Sequence, residues 1–198
     1  MERHTQPSSI DRIAAEPEPV TPDLRGLTSP DGAIALMLSD IADAEAVAER
    51  IGPGRWEQLL SDHHALVQGV VADHEGHVAK FDRDGFFASF NSAHASLRAA
   101  VELQRSFPEL ATALEDGAVA PRIGLHSGFV LASPEEPQGR NVVLAARIAA
   151  QAEAGEILVS SSLKQYTERD PSFRFEPHGE YHFKGLVGEH TVYSVHWR

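Results

Sequence analysis

The chain has 198 residues, 42% of them hydrophobic and 23% charged, which fits one globular domain with a core of its own. It has no cysteine, so disulfide scaffolds, thiolate metal sites and cysteine nucleophiles are excluded. Lys and Arg number 17 against 29 Asp and Glu, a formal charge of −12 that argues against nucleic acid as a partner.

Residues 1–31 read as a flexible tail, interrupted by Pro7, Pro17, Pro19, Pro22 and Pro30. The segment has no apolar h-region of a secretory signal, and no stretch of the chain is apolar for long enough to span a bilayer. A cytoplasmic protein with no membrane partner is the expectation, with the folded domain running from 32 to 198. Ala33-Ile-Ala-Leu-Met-Leu38 is a short apolar run that stops at Ser39-Asp40, the pattern of a buried strand. A polar, helix-prone stretch follows to Ile51 and is broken by Gly52-Pro53-Gly54. Trp56, Leu59, Leu60, His63, Leu66, Val67, Val70 and Val71 then fall on one face of a long helix.

His77–Phe81 and Phe86–Phe90 read as two strands around the tight turn Asp82-Arg-Asp-Gly85. A second amphipathic helix covers 92–105, and Pro108 is expected to end it. Arg122–His126 and Phe129–Leu131 look like one strand interrupted at Ser127-Gly128, followed by a Pro- and Glu-rich loop over 133–139. A helix over about 140–153 stops before Gly155, and Ile157–Val159 is a short buried strand. Phe173–Phe183 and Thr191–Val195 close the chain with β character. The order β-α-β-β-α-β with a C-terminal extension gives an α+β class with a ferredoxin-like core.

Asp40 closes the first strand and Asp84 sits in the tight turn between the next two. In such a unit the strand end and the hairpin turn can lie side by side, and two carboxylates there suit Mg²⁺ or Mn²⁺. The same residues also make sense as a helix cap and a turn former. His63-His64 and His74-x-x-His77 read as structural, His63 because it lies on an apolar helix face.

Six motifs occur in order: Ser39-Asp40-Ile41, Lys80-x-x-x-Asp84-Gly85, Arg122-Ile-Gly-Leu-His126-Ser-Gly128, Asn141-x-x-x-Ala145-Ala146-Arg147, Gly155-Glu-Ile-Leu-Val-Ser160 and Phe183-Lys184-Gly185. Over 33–196 this set resembles the class III nucleotidyl cyclases, the adenylyl/guanylyl cyclase catalytic domains. The resemblance implies a homodimer with two composite active sites and two divalent ions, Mg²⁺ or Mn²⁺, per site. It implies a lyase that turns ATP into 3′,5′-cyclic AMP and pyrophosphate. By position, Asp40 and Asp84 match the metal aspartates, with the Ile41 carbonyl as a further ligand. Lys80 and Glu136 match the residues that read the purine, and a lysine in the first place goes with adenine. Arg147 matches the arginine that stabilises charge on the reacting phosphorus, and Lys184 the lysine that holds the terminal phosphates.

The chain departs from the family pattern twice. Arg83 stands where a glycine usually precedes the second aspartate. Val143 stands where a polar residue usually orients the ribose, and Asn141 lies on a different helix face. These departures keep two alternatives in view: a catalytically impaired cyclase-like domain that binds nucleotide and regulates by dimerisation, and a cyclase for GTP or a pyrimidine nucleotide.

Overall fold

The apolar run at Ala33 extends into a nine-residue strand, β1 (Ala33–Ile41), with a strand on each edge and helices on each face. That setting explains why the run is unbroken rather than alternating: both sets of side chains need apolar company. Ala35 and Met37 point into one core layer, and Ile34, Leu36 and Leu38 into the other. Burying each of the large side chains contributes about 1.5–3 kcal/mol. The structure, a computed structural model, describes residues 9–15, 32–111, 119–129 and 139–197.

After β1 come α2 (Ala44–Ile51), α3 (Pro53–Asp73), the hairpin β2 (Gly76–Phe81) and β3 (Gly85–Phe90), α4 (Ala93–Ala111) and β4 (Pro121–Phe129). α5 (Gly139–Ala149), β5 (Ile157–Ser160), α6 (Ser161–Thr167), β6 (Arg174–Tyr181) and β7 (His190–His196) follow. The described strands form one sheet in the order β2-β3-β1-β4-β5-β7-β6. β1 runs antiparallel to β3 and β4, and β5 lies parallel to β4. The four strands β2-β3-β1-β4 make the ferredoxin-like core, and β5-β7-β6 is its C-terminal extension, so the α+β expectation holds. α3, α4 and α6 contribute to the core on one face, and α5 to the core on the other. Among the described residues no helix is long and apolar enough to cross a membrane.

Three local expectations change. Within the stretch read as a flexible tail, Ser9–Ala15 forms a helix, α1, whose Ile10 and Ala14 are buried against β1, Phe87 and α5. Two apolar residues one turn apart are enough to dock it once a groove is available. β4 is continuous through Ser127-Gly128, because both pair with β1 opposite Ala35 and Ile34. α4 runs past Pro108 to Ala111, with Phe107 and Leu110 packed against Ile41, Val47 and Leu59. That packing offsets the hydrogen bond which the proline removes from its last turns.

Candidate active site

Asp40 sits on the same side of β1 as Leu36 and Leu38, at the end of the strand. Its cross-strand partners are Gly85 on β3 and Arg122 on β4. Only glycine fits opposite it on β3: a Cβ at Gly85 would come within 2.2 Å of the Ser39 carbonyl oxygen. On the other edge, the Arg122 guanidinium grips the Asp40 carboxylate with two bonds, Nε to Oδ1 at 2.7 Å and Nη2 to Oδ2 at 3.1 Å. Arg122 Nη2 also lies 3.2 Å from Asp11 Oδ2 on α1. Burial alone would lower the Arg122 pKa, but the hydrogen bonds and charges of Asp40 and Asp11 outweigh it and raise the value. Asp40 is fully buried, so this pair is well shielded from solvent.

Asp84 is brought to the same place by the backbone. The Ile41 amide donates to the Asp84 carbonyl at 2.9 Å, which ties the end of β1 to the β2–β3 turn. The turn itself is closed by Asp82, whose amide donates to the Gly85 carbonyl at 2.9 Å and whose Oδ1 accepts from the Arg83 amide at 2.9 Å. Arg83 keeps an ordinary negative φ, since Asp43 and Glu75 are the non-glycine residues with positive φ among those described. The turn therefore forms without the glycine that the family pattern carries at that position. Asp84 is buried, and it borders a cleft of about 920 Å³ that also exposes Asp11, Arg12, Arg83, Arg122 and Glu153.

The donor chemistry at this corner fits a hard divalent ion. Two carboxylates and a strand-end carbonyl offer oxygen only. Among the described residues no group of three or more His, Asp or Glu could hold an ion alone.

The other expected site residues lie elsewhere on this chain. Lys80 is exposed on β2, the sheet's edge strand, opposite Phe87. Lys184 is exposed in the turn between β6 and β7. Arg147 is on α5, which packs so tightly on β4 that a Cβ at Gly124 would fall 2.3 Å from the Ala149 nitrogen. The Arg147 Nε is buried without a hydrogen-bond partner among the described residues. None of these three borders the cleft beside Asp84. Glu136 lies outside the described residues.

Val143 is one turn before Arg147 and buried. Asn141 cannot stand in for the missing polar group, because its side chain is engaged on β4. Its Nδ2 donates to the Phe129 carbonyl at 3.0 Å, and its Oδ1 meets His126 Nε2 at 3.2 Å. His126 Nδ1 lies 3.0 Å from Ser160 Oγ. Burial first, with the His190 charge also lowering it and the Asn141 bond opposing, brings the His126 pKa down to about 4. With the ring neutral, Nε2–H donating to Asn141 and Nδ1 accepting from Ser160 is the tautomer these partners require.

The paired histidines are structural, as the sequence suggested for His63: it is buried against Phe86 and Phe107. His74 pairs with Glu102 at 2.8 Å. The residue whose part sequence reasoning missed is Arg122. A charged side chain near the start of a largely apolar strand was the signal available; its register with Asp40 was not.

Comparison with known proteins agrees with this fold. The model of the adenylate and guanylate cyclase catalytic domain matches residues 28–197. "Putative adenylate cyclase 3" of Rhizobium meliloti is 26% identical over 164 residues, 82% of this chain and 28% of that protein. The adenylyl cyclase CyaB from P. aeruginosa superposes with a TM-score of 0.74 at 19% identity, over 82% of this chain and 93% of that one. The guanylyl cyclase Cya2 superposes with a TM-score of 0.71 at 20% identity, over 82% and 91%. The chain spans less than half the length of the curated relatives it matches. With the family model covering the whole described sheet, this chain belongs to the adenylate and guanylate cyclase catalytic domain family.

Proposed function

We propose that the chain is an adenylyl cyclase, forming 3′,5′-cyclic AMP and pyrophosphate from ATP at sites shared by two copies. The observation that carries this reading is the arrangement of the end of β1. Asp40, the Ile41 carbonyl and Asp84 are gathered at one corner, while Lys80, Arg147 and Lys184 lie away from it on the same chain. A second copy placed head to tail would complete each corner with the other's Lys80 and Arg147.

Asp40, Asp84 and the Ile41 carbonyl would hold the divalent ions, Mg²⁺ or Mn²⁺. Such ions, when bound, neutralise the triphosphate and make a ribose hydroxyl easier to deprotonate. Lys80 donates to an acceptor nitrogen of adenine, and Glu136 accepts from its amino group. The Arg147 Nε, with no acceptor among the described residues, is available for the charge that develops on the α-phosphate as the 3′-oxygen attacks in line. Lys184, exposed on its turn, is available to the β- and γ-phosphates.

One experiment tests substrate and chemistry together. The purified protein is given each of the four nucleoside triphosphates with Mn²⁺ or Mg²⁺, and products are resolved by chromatography. Cyclic AMP formed in preference to the other products supports the reading, and preferential cyclic GMP would move it to guanylyl cyclase. A second experiment tests the shared site. Asp40→Ala and Arg147→Ala proteins are each expected to be inactive. Once mixed and exchanged, about half the dimers are mixed and carry one intact site, which restores about a quarter of wild-type activity. No recovery after demonstrated exchange would rule out the shared site.

Val143 supports a second reading. A buried valine one turn from Arg147, with Asn141 already engaged, leaves α5 without an evident group for the ribose. On that reading the domain binds nucleotide, turns it over slowly or not at all, and acts through dimerisation.

A further inference from the structure

α1 lies ahead of the segment that matches the cyclase family, which begins at residue 28, yet it is seated inside the fold next to the acidic corner. Ile10 and Ala14 are buried against Ile34, Leu36, Leu38, Phe87 and the small residues of α5. Asp40 shares that face of β1, so the groove that takes α1 leads directly to it. The charges are in register at the end of the groove. Asp11 Oδ2 lies 3.2 Å from Arg122 Nη2, and Arg12 Nη2 donates to Asp82 Oδ2 at 3.0 Å. Sliding the helix so that the two exchanged partners would set Asp11 against Asp82 and Arg12 against Arg122. Asp11 and Arg12 also form part of the wall of the cleft that borders Asp84.

We propose that α1 is an autoinhibitory plug of the acidic corner. Its Asp11 carboxylate occupies the guanidinium that also grips Asp40, and its body narrows the cleft, so a polyphosphate enters fully only when α1 lifts. The contact is built to be reversible. A seven-residue helix is marginal on its own, and its two ion pairs are part-exposed and therefore weak. A site open in only a fraction of molecules shows its ligand affinity reduced by that fraction. The cyclase reading supplies the identity of the blocked ligand; the competition itself needs only an anion in the cleft.

The test uses the full chain and inorganic tripolyphosphate at constant excess Mg²⁺, with binding followed by calorimetry and folding by thermal melting. Asp11→Asn leaves the helix seated but removes its anion, and should tighten tripolyphosphate binding about two- to fivefold, the scale of a part-exposed ion pair. Ile10→Asp unseats the helix and should tighten binding about tenfold or more. Glu153→Gln removes the same charge from another wall of the cleft and should change binding less than twofold, roughly. Unchanged or weaker binding in Asp11→Asn overturns the plug. So does an equal gain in Glu153→Gln, which would reduce the effect to the general field. If Ile10→Asp fails to fold, the comparison of Asp11→Asn with Glu153→Gln decides alone. Tighter binding with no cyclic nucleotide formed by any protein would keep the plug and sink the cyclase reading. Cyclic nucleotide formed at unchanged affinity would do the reverse.

Discussion

Arg122 and His126 lie four residues apart on the same face of β4, and each is the centre of a polar cluster. The two clusters are made differently. His126 is neutral and enclosed, with Ser160 on one ring nitrogen and Asn141 on the other, and Ser162 within 3.3 Å of the same Nδ1. Its hydrogen-bonding capacity is met within the chain, and the result is a rigid link between β4, the start of α6 and the start of α5. Arg122 is charged, still 15% exposed, and shared between Asp40 and Asp11 at the rim of a cleft. One of its partners belongs to a short helix that can leave. A saturated neutral network fixes geometry; a charged cluster with a replaceable member can answer to a ligand.

The largest expected effect is at the charged end. On the proposed reading, Asp84→Ala should lower turnover about a thousandfold or more, since it would remove one of two carboxylates that balance the triphosphate. Its melting temperature should stay close to wild type. Asp40→Ala should abolish turnover and also cost about 3 kcal/mol of stability, because it strips a mostly buried guanidinium of its two-bond partner. Urea denaturation beside a turnover assay separates the two mutants. Equal stability in both would show that the Arg122–Asp40 grip contributes little.

The neutral end predicts a pH response. His126 and His63 both have pKa values lowered to about 4, mainly by burial. The unfolded chain protonates each near its ordinary 6.5, so the native state holds fewer protons between the two values. The stability these two histidines contribute is therefore fully present above about pH 6.5, falls as the pH drops toward 4, and changes no further below it. Each histidine accounts for a loss on the order of 3 kcal/mol. His126→Asn should flatten part of that slope in urea titrations at pH 7 and pH 5. An unchanged slope would mean that folding does not lower the His126 pKa.

The smallest effect lies between the clusters, on α5. Val143→Asn should raise kcat about tenfold with KM little changed, the scale of one modest transition-state interaction. No gain in a folded variant would mean that the ribose is oriented by another group.

Much of this was legible in the chain. The unbroken run Ala33–Leu38 announced a strand covered on both faces, and the Asp82–Gly85 turn between two β runs announced the hairpin that carries Asp84. The reach of Asp84 toward Asp40 followed from topology alone. What escaped was decided by contacts distant in sequence. α1 is seven residues between prolines, and only a groove formed by β1, Phe87 and α5 makes its Ile10 and Ala14 worth burying. Pro108 reads as a stop until Phe107 and Leu110 are seen to be anchored against Ile41, Val47 and Leu59. Ser127-Gly128 reads as a break until both are paired with β1. The grip of Arg122 on Asp40 needed the register of two strands more than 80 residues apart, which no local pattern records.

That register bears on how the protein is made. β1 leaves the ribosome early, but its partners on β3 follow 45 to 55 residues later and those on β4 80 to 96 residues later. At about 5–20 residues per second, the nascent strand waits on the order of 4–20 s for its second edge to be covered. During that interval Ile34, Leu36 and Leu38 are also without α5, which is synthesised later still. A strand buried at eight of its nine residues in the finished molecule thus keeps an open edge through that interval of translation, a point where a holding chaperone would raise the yield of folded protein.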